Sequence, residues 1–331
     1  MGRVDEAMRR AAEARTGRTA ADRDAEPAPA PEIVASSLVF PVEPAVAAAR
    51  DAGVDAAVLA DRRPPAVADH AADTVLAPAV NGASAGPRVN ELVDHIDGTV
   101  REKVVVDENM NPASREQYRR LAAALHHAQT ASGIKVVMIA SAVAEEGKTL
   151  TAANLALTLS ESYRKNVLLI DADLRRPSLH TIFKVRGAPG LNEGLTATDE
   201  PKLPLHDVST RLTVLPAGMP NADPMAGLTS RRMQSLIDEA REAFAWVIID
   251  TPPVGLLTDA NLLAAMVDGA VLVVKAGATP YDIVKRAVDT IGASKLLGVV
   301  LNRADSSLGR YSYQYTDYYH RVVAAGPEGV R

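Results

Sequence analysis

Residues 136–149 read VVMIASAVAEEGKT: a β-branched apolar run, a short turn of small residues, then Gly147, Lys148 and Thr149. This order predicts a buried strand that feeds a phosphate-binding loop and then a helix, the helix carrying Leu150, Ala153 and Leu157 at apolar spacing. A glycine at 147 lets the backbone approach phosphate oxygens closely. A helix starting near Lys148 aims unpaired N–H groups and the positive end of its dipole at them. The ligand this selects is anionic. In such a loop Ala144, Glu145, Glu146, Gly147, Lys148, Thr149 and Leu150 surround the nucleotide, with Lys148 reaching the β/γ-phosphates and the Thr149 hydroxyl coordinating Mg2+. Ala142 stands where the first glycine of G-x-x-x-x-G-K-[ST] falls, so the textual match is incomplete. A lone Gly-Lys-Thr can also be an exposed turn. The partner that decides is WVIIDTPP (246–253), a second apolar strand tipped by Asp250, which would hold the metal through its water shell.

Outward from these two strands the texture repeats. Apolar runs at 136–140, 167–170, 212–215, 246–249, 270–274 and 298–301 alternate with amphipathic segments of helical length. That alternation predicts an α/β fold with a doubly wound, mostly parallel sheet of the P-loop NTPase kind. Ligands of such sheets bind beyond the carboxyl ends of the strands. Gly147, Asp171, Asp250 and Asn302 all follow predicted strands, so the fold would gather them on one rim.

Residues 1–102 differ. They hold nine of the 21 prolines and one aromatic residue, Phe40, amid Ala, Arg and Asp. Such a stretch has little apolar surface to offset ordering entropy, so a largely disordered Ala/Pro-rich N-terminal arm is expected, with short helices possible at 43–50 and 89–96. It reads as a tether or as a docking segment. The folded domain is expected over 103–305, and a tail over 306–331.

Bulk properties exclude several classes. A formal charge of −5 and a pI near 5.8 give no basic stripe, which argues against nucleic acid as a partner. The absence of cysteine removes disulfides, thiolate zinc sites and iron–sulfur clusters. No apolar stretch approaches the ~20 residues of a membrane-spanning helix, and residues 1–23 are charged throughout, so a cytoplasmic location is expected. His126, His127, His180 and His206 show no metal-ligand spacing.

A third motif, VLLIDADLRRP (167–177), adds Asp171 and Asp173 at i, i+2, which share a face if the strand persists; Asp173 would otherwise cap the following helix. With it the chain, from about Glu116 to Tyr319, resembles the bacterial tyrosine autokinases of capsular and exopolysaccharide assembly. SAVAEEGKT (141–149) is similar to their Walker A element, LLIDADLRRP (168–177) to the Walker A′ element, and VIIDTPP (247–253) to Walker B. LPAGMP (215–220), TDA (258–260) and GVVLNRAD (298–305) look like further family segments.

The resemblance implies ATP and Mg2+ as cosubstrate and cofactor. Lys148, Asp171 and Asp173 become the catalytic set, Thr149, Asp171 and Asp250 the metal set, and Asn302 the adenine contact, its alternative being a turn residue. It implies that Tyr311, Tyr313, Tyr315, Tyr318 and Tyr319 are phospho-acceptors used in trans; by itself such a run is also an edge strand or a sticky tail. It implies a homo-oligomer with Glu116 and Arg119 at the subunit interface, a separate transmembrane chain-length regulator as activator, a cognate tyrosine phosphatase, and peripheral association with the inner face of the membrane.

Three departures from the family pattern stand in the chain. Ala144 and Glu145 replace the usual Pro-Gly, Ala122 replaces the last arginine of E-x-x-R-x-x-R, and residues 320–331 follow the cluster. The rival functions are a chromosome-partition or division-site ATPase, whose extra loop lysine falls at Val143 here, and a catalytically silent scaffold of polysaccharide assembly.

Overall fold

The six apolar runs are strands in the computed structural model of the chain, which describes residues 38–39, 89–197, 203–254 and 259–304. They are β2 (Val136–Ser141), β3 (Val167–Asp171), β5 (Leu212–Leu215), β6 (Trp246–Asp250), β7 (Gly269–Lys275) and β8 (Leu296–Asn302). Two short strands escaped the sequence pattern, β1 (Leu38–Val39) and β4 (His206–Asp207), because two residues carry no periodicity.

The sheet order is β1-β8-β7-β2-β6-β3-β5-β4. Every pair from β8 to β5 is parallel, and the two short strands close the edges antiparallel. Parallel strands covered on both faces read as continuous apolar runs, and β2, β3 and β6 are buried along their whole length. The chain leaves central β2 for β3 on one side and later returns to place β7 on the other. The crevice beyond the end of β2 is therefore a switch point of the winding, where ligands of open α/β sheets bind.

Alternate residues of β2 feed two cores. Val137 and Ile139 pack with α1 (Val89–Asp94), α2 (Pro112–Ser132), α3 (Lys148–Leu157) and α4 (Leu179–Ile182); Val136, Met138 and Ala140 pack with α5 (Leu191–Thr196), α6 (Met225–Leu228), α7 (Arg231–Ala243), α8 (Asp259–Met266) and α9 (Tyr281–Ile291). The long α2 starts where Asn111 Oδ1 accepts from the Ala113 amide at 2.8 Å with Pro112 in the first turn, and it stops at Gly133 in the left-handed region (φ 70°). At the opposite end from the site, Asp268 Oδ2 accepts from the Lys135 and Val136 amides at 2.7 and 2.9 Å, which pins the start of β2 to that of β7.

The boundary expected at Lys103 lies inside this packing. Leu92 and Ile96 are buried in the α2–α3 core, and the Asp97 amide donates to the Ile182 carbonyl at 2.9 Å. The buried Asn154 carboxamide ties the next segment down, donating to the Lys103 carbonyl at 2.9 Å and accepting from the Val105 amide at 2.8 Å. A composition averaged over 1–102 hides a few apolar residues at helical spacing near its end. Apart from Leu38–Val39, residues 1–88 lie outside the described part of the chain, as do the tail 306–331 and the tyrosine cluster within it.

Candidate active site

Gly147 closes the loop after β2 and opens α3. It lies at φ 92°, and a β-carbon there would stand 2.1 Å from Asn302 Nδ2, so both backbone conformation and space require glycine. Ala144 and Glu145 form the exposed crest of the loop, and Glu145 itself takes a positive φ of 63°. Ala142 is wholly buried behind it.

Glu146 does something that the sequence did not reveal. Its side chain turns inward and is almost fully buried. Oε2 accepts from the Val143 amide at 2.9 Å; Oε1 accepts from the Lys275 amide at 3.1 Å and from the Thr279 hydroxyl. The carboxylate thus braces the loop internally and against the end of β7. Asn302, expected to meet adenine, is brought to the same place with its carboxamide engaged by protein: Nδ2 donates to the Glu146 carbonyl at 2.7 Å and Oδ1 accepts from the Arg303 amide at 2.9 Å.

The acids arrive from two neighbouring strands. Asp171 and Asp250 are register partners at the ends of β3 and β6, so their side chains share a face. Lys148 Nζ lies 2.9 Å from Asp173 Oδ2, 3.7 Å from Asp250 Oδ1 and 3.4 Å from the Thr149 hydroxyl. Asp173 Oδ1 also accepts from the Arg176 amide at 3.1 Å, inside a turn and not at a helix start: the next helix begins at Leu179, and its first amides are taken by Asp171. Asp171 organises backbone: Oδ2 accepts from the Ser178 and Leu179 amides, both at 2.9 Å, and Oδ1 from the Asp173 amide at 3.2 Å. Asp250 is different. It is fully buried, and neither carboxylate oxygen has a hydrogen-bond partner among the described residues.

Electrostatics follow from this crowding. Burial, then the charge of Asp250, push the Asp171 pKa up to about 7 against the pull of its backbone donors. Burial also raises Asp250, against the pull of the Lys148 ammonium and the Thr149 hydroxyl. For Lys148 burial favours the neutral amine, but Asp250, Asp173 and Asp171 together outweigh it and hold the ammonium charged. The site is therefore one firmly charged lysine among three buried carboxyls, with one of those carboxyls unsatisfied.

That donor set fits a magnesium nucleotide. An orphaned, buried carboxylate beside a helix N-terminus, a serine/threonine hydroxyl and a lysine is what a hydrated divalent cation and a polyphosphate would complete. Magnesium keeps much of its water and is held by one or two carboxylates plus phosphate, a demand that the expected set of Thr149, Asp171 and Asp250 could meet. Glu116 and Arg119 lie elsewhere, on α2, where Glu116 stands 3.8 Å from Arg119 and 3.7 Å from Arg120.

A Gly-Lys-Thr loop at the switch point of a parallel sheet, faced by an acid-tipped neighbouring strand, defines a P-loop nucleotide-binding domain. Residues 137–323 match the CobQ/CobB/MinD/ParA nucleotide binding domain family, CbiA. The chain is 37% identical over 205 residues to the tyrosine-protein kinase YwqD of Bacillus subtilis, covering 61% of this chain and 86% of that one. It is 36% identical over 194 residues to the tyrosine-protein kinase CpsD of Streptococcus agalactiae (56% and 82%). Against the succinoglycan biosynthesis transport protein ExoP of Rhizobium meliloti the identity is 34% over 250 residues, which is 70% of this chain but only 31% of that longer protein. Among solved structures it is similar to the chimerical protein CapA2B2 (TM-score 0.56, 31% identity, 62% of this chain and 91% of that one). The kinase domain of the Escherichia coli tyrosine kinase ETK is similar as well (TM-score 0.55, 28% identity, 60% and 80%). The chain belongs to the bacterial tyrosine-protein kinases.

Proposed function

We propose that this chain is an ATP- and Mg2+-dependent autokinase. It transfers the γ-phosphoryl group of ATP to Tyr311, Tyr313, Tyr315, Tyr318 and Tyr319 of another copy, and the modification regulates capsular or exopolysaccharide polymerisation or export. The observation that carries this reading is the Lys148–Asp173 pair at 2.9 Å beside a buried Asp250 that has Lys148 at 3.7 Å and no hydrogen-bond partner among the described residues. Relatives named as tyrosine kinases and as a polysaccharide transport protein support the substrate class and the setting.

The chemistry asked of the chain is positioning and charge. Thr149, Asp171 and Asp250 would hold Mg2+, which supplies charge neutralisation on the transferring phosphoryl oxygens when bound. Lys148, kept cationic by its acids, stabilises charge developing on the β/γ oxygens. A phenolic oxygen forms the new bond to γ-phosphorus as the bond to the β–γ bridging oxygen breaks. Asp171, whose affinity for protons is raised by burial, takes or orients the phenolic proton. Asp173 keeps Lys148 in place.

The wider setting belongs to the same proposal. The chain acts as a homo-oligomer with Glu116 and Arg119 at the contact, at the inner face of the membrane through a separate transmembrane chain-length regulator, and is reset by a tyrosine phosphatase. Each phosphate adds about −1.5 to −2 charges, so a fully modified tail gains about −8 to −10 and the assembly dissociates by repulsion. The test is intact-mass spectrometry after incubation with Mg-ATP, beside Lys148→Ala and a variant with the five tyrosines changed to phenylalanine. Steps of one phosphate in the unsubstituted chain alone are expected; no added mass, even with a regulator's cytoplasmic segment present, would leave a nucleotide-binding scaffold.

A further inference from the structure

Asn302, at the end of β8, stands against the nucleotide loop with its carboxamide already engaged. Oδ1 accepts from the Arg303 amide at 2.9 Å, which assigns the NH2 to the other end of the group, and from there Nδ2 donates to the Glu146 carbonyl at 2.7 Å. The residue is only 3% exposed. The Ala276 amide donates to the Asn302 carbonyl at 2.8 Å, so the end of β7 fixes the backbone from which this side chain projects. One N–H and one lone pair are left over, with little surface through which to meet a base.

What the carboxamide holds is one end of the trans peptide between Glu146 and Gly147. In a trans peptide the C=O and the N–H point in opposite directions, so a Glu146 carbonyl drawn to Asn302 aims the Gly147 N–H the other way. Backbone N–H groups at the mouth of a helix are the ones that cradle phosphate oxygens. The Glu146 carboxylate, bound to the Val143 and Lys275 amides, places the residue and leaves the plane of the following peptide to Asn302.

Gly147 makes such a restraint necessary. Turning the 146–147 peptide over would exchange its φ of 92° for a negative value, a change that glycine accepts at little cost. A larger residue cannot take its place, because a β-carbon at 147 would stand 2.1 Å from Asn302 Nδ2. The same side chain thus demands the permissive residue and restrains it.

We propose that Asn302 is a positioning residue for the phosphates: it locks the 146–147 peptide with the Gly147 N–H turned toward the polyphosphate, and the base is not what its carboxamide recognises. The proposal rests on the nucleotide-binding part of the autokinase reading and not on phosphate transfer. Its consequence is selective. Loss of the lock weakens every ligand that carries the phosphates by a similar factor, with or without a base, whereas loss of a base contact weakens only ligands that carry one.

The test compares Mg-ADP with Mg-pyrophosphate, which has two linked phosphates and no adenosine, by titration calorimetry on full-length protein. Asn302→Leu keeps the volume and removes both hydrogen bonds. Its affinities for the two ligands should fall together, each by about tenfold, with the ratio between them held within about twofold. A loss confined to Mg-ADP, no loss for either, or no binding of either by the unsubstituted chain overturns the proposal. A residue that served stability alone would lower Tm and leave both affinities in place. Should Asn302→Leu fail to fold, nitrogen-15-labelled asparagine in the unsubstituted chain decides: the Asn302 side-chain NH2 resonances should respond alike to the two ligands, and a response to Mg-ADP alone overturns the proposal. Equal losses in a chain that transfers no phosphate uphold the lock and defeat the autokinase reading; a loss confined to Mg-ADP in a chain that phosphorylates its tyrosines does the reverse.

Discussion

Asp250→Asn should make the ligand-free protein more stable while removing its response to Mg2+ nucleotide. Three buried carboxyls face one lysine, and Lys148 already has Asp173 at 2.9 Å, so the second pairing, at 3.7 Å, leaves Asp250 as surplus charge with no hydrogen bond. Removing a sole partner from a buried pair strands the other ion, but here Lys148 keeps Asp173. Relieving an uncompensated buried charge is worth about 1–3 kcal/mol on the scale of unsatisfied buried polar groups, and at about 2–4 °C per kcal/mol Tm should rise by about 2–12 °C at pH 8.

The pH dependence has a definite sign. The folded pKa of Asp171 is pushed up to about 7 from 3.8, so between those values the folded state holds more protons than the unfolded chain. Stability of the unliganded protein from this group is therefore greatest below about pH 4 and is lost as pH rises through about 7. Asp250, also raised, acts in the same direction. The substitution deletes one of these groups and the repulsion acting on the other, so the decline across this window should flatten. Thermal melts from pH 5.5 to 8.5, with and without Mg-ADP, measure both effects. A lower Tm for Asp250→Asn at pH 8 without ligand, or an undiminished slope with pH, would refute the surplus-charge account.

Lys148→Met should abolish phosphate transfer and also lower Tm, because it leaves buried acids without their cation, a loss of about 3–5 kcal/mol for a broken buried pair; adding Asp173→Asn should recover part of the stability and none of the activity. Glu146→Ala removes the acceptor for Val143, Lys275 and Thr279 and should cost about 1–3 kcal/mol in urea unfolding, with nucleotide affinity by calorimetry falling about tenfold as the loop loosens. Gly147→Ala should abolish measurable nucleotide binding, and combining it with Asn302→Ala, which clears the steric conflict, should fail to restore it because the backbone at φ 92° remains.

How much of this was legible in the sequence depends on whether a feature is local. The six long strands were readable because β2, β3, β5 and β6 are buried throughout, and β7 and β8 over most of their length, so that each appears as an apolar run. The co-location of Lys148, Asp171, Asp173 and Asp250 was readable because parallel topology puts every strand end on one rim. Whose side chain satisfies whose backbone was not readable. Glu146 looks like one more polar loop residue, yet its partners Lys275 and Thr279 lie 129 and 133 positions away. The packing of Leu92 and Ile96 and the edge strands also depend on tertiary neighbours that no window of sequence contains.

The same distinction bears on the loop's departures from its family's pattern. With Ala144 and Glu145 in place of Pro-Gly, the expectation is a looser loop, and Glu145 indeed adopts a positive φ of 63°, which costs an L-residue about 1–2 kcal/mol. Three hydrogen bonds to the buried Glu146 carboxylate and one from Asn302 to the Glu146 carbonyl hold the loop from beneath, each of net worth about 1 kcal/mol or more when an ionised group takes part. Support of that size offsets the strain at the crest. Loop geometry therefore resides in residue 146 and its distant partners rather than in the two residues that differ. Those two remain exposed, where changes alter what the loop presents to an approaching chain more than where it places Lys148.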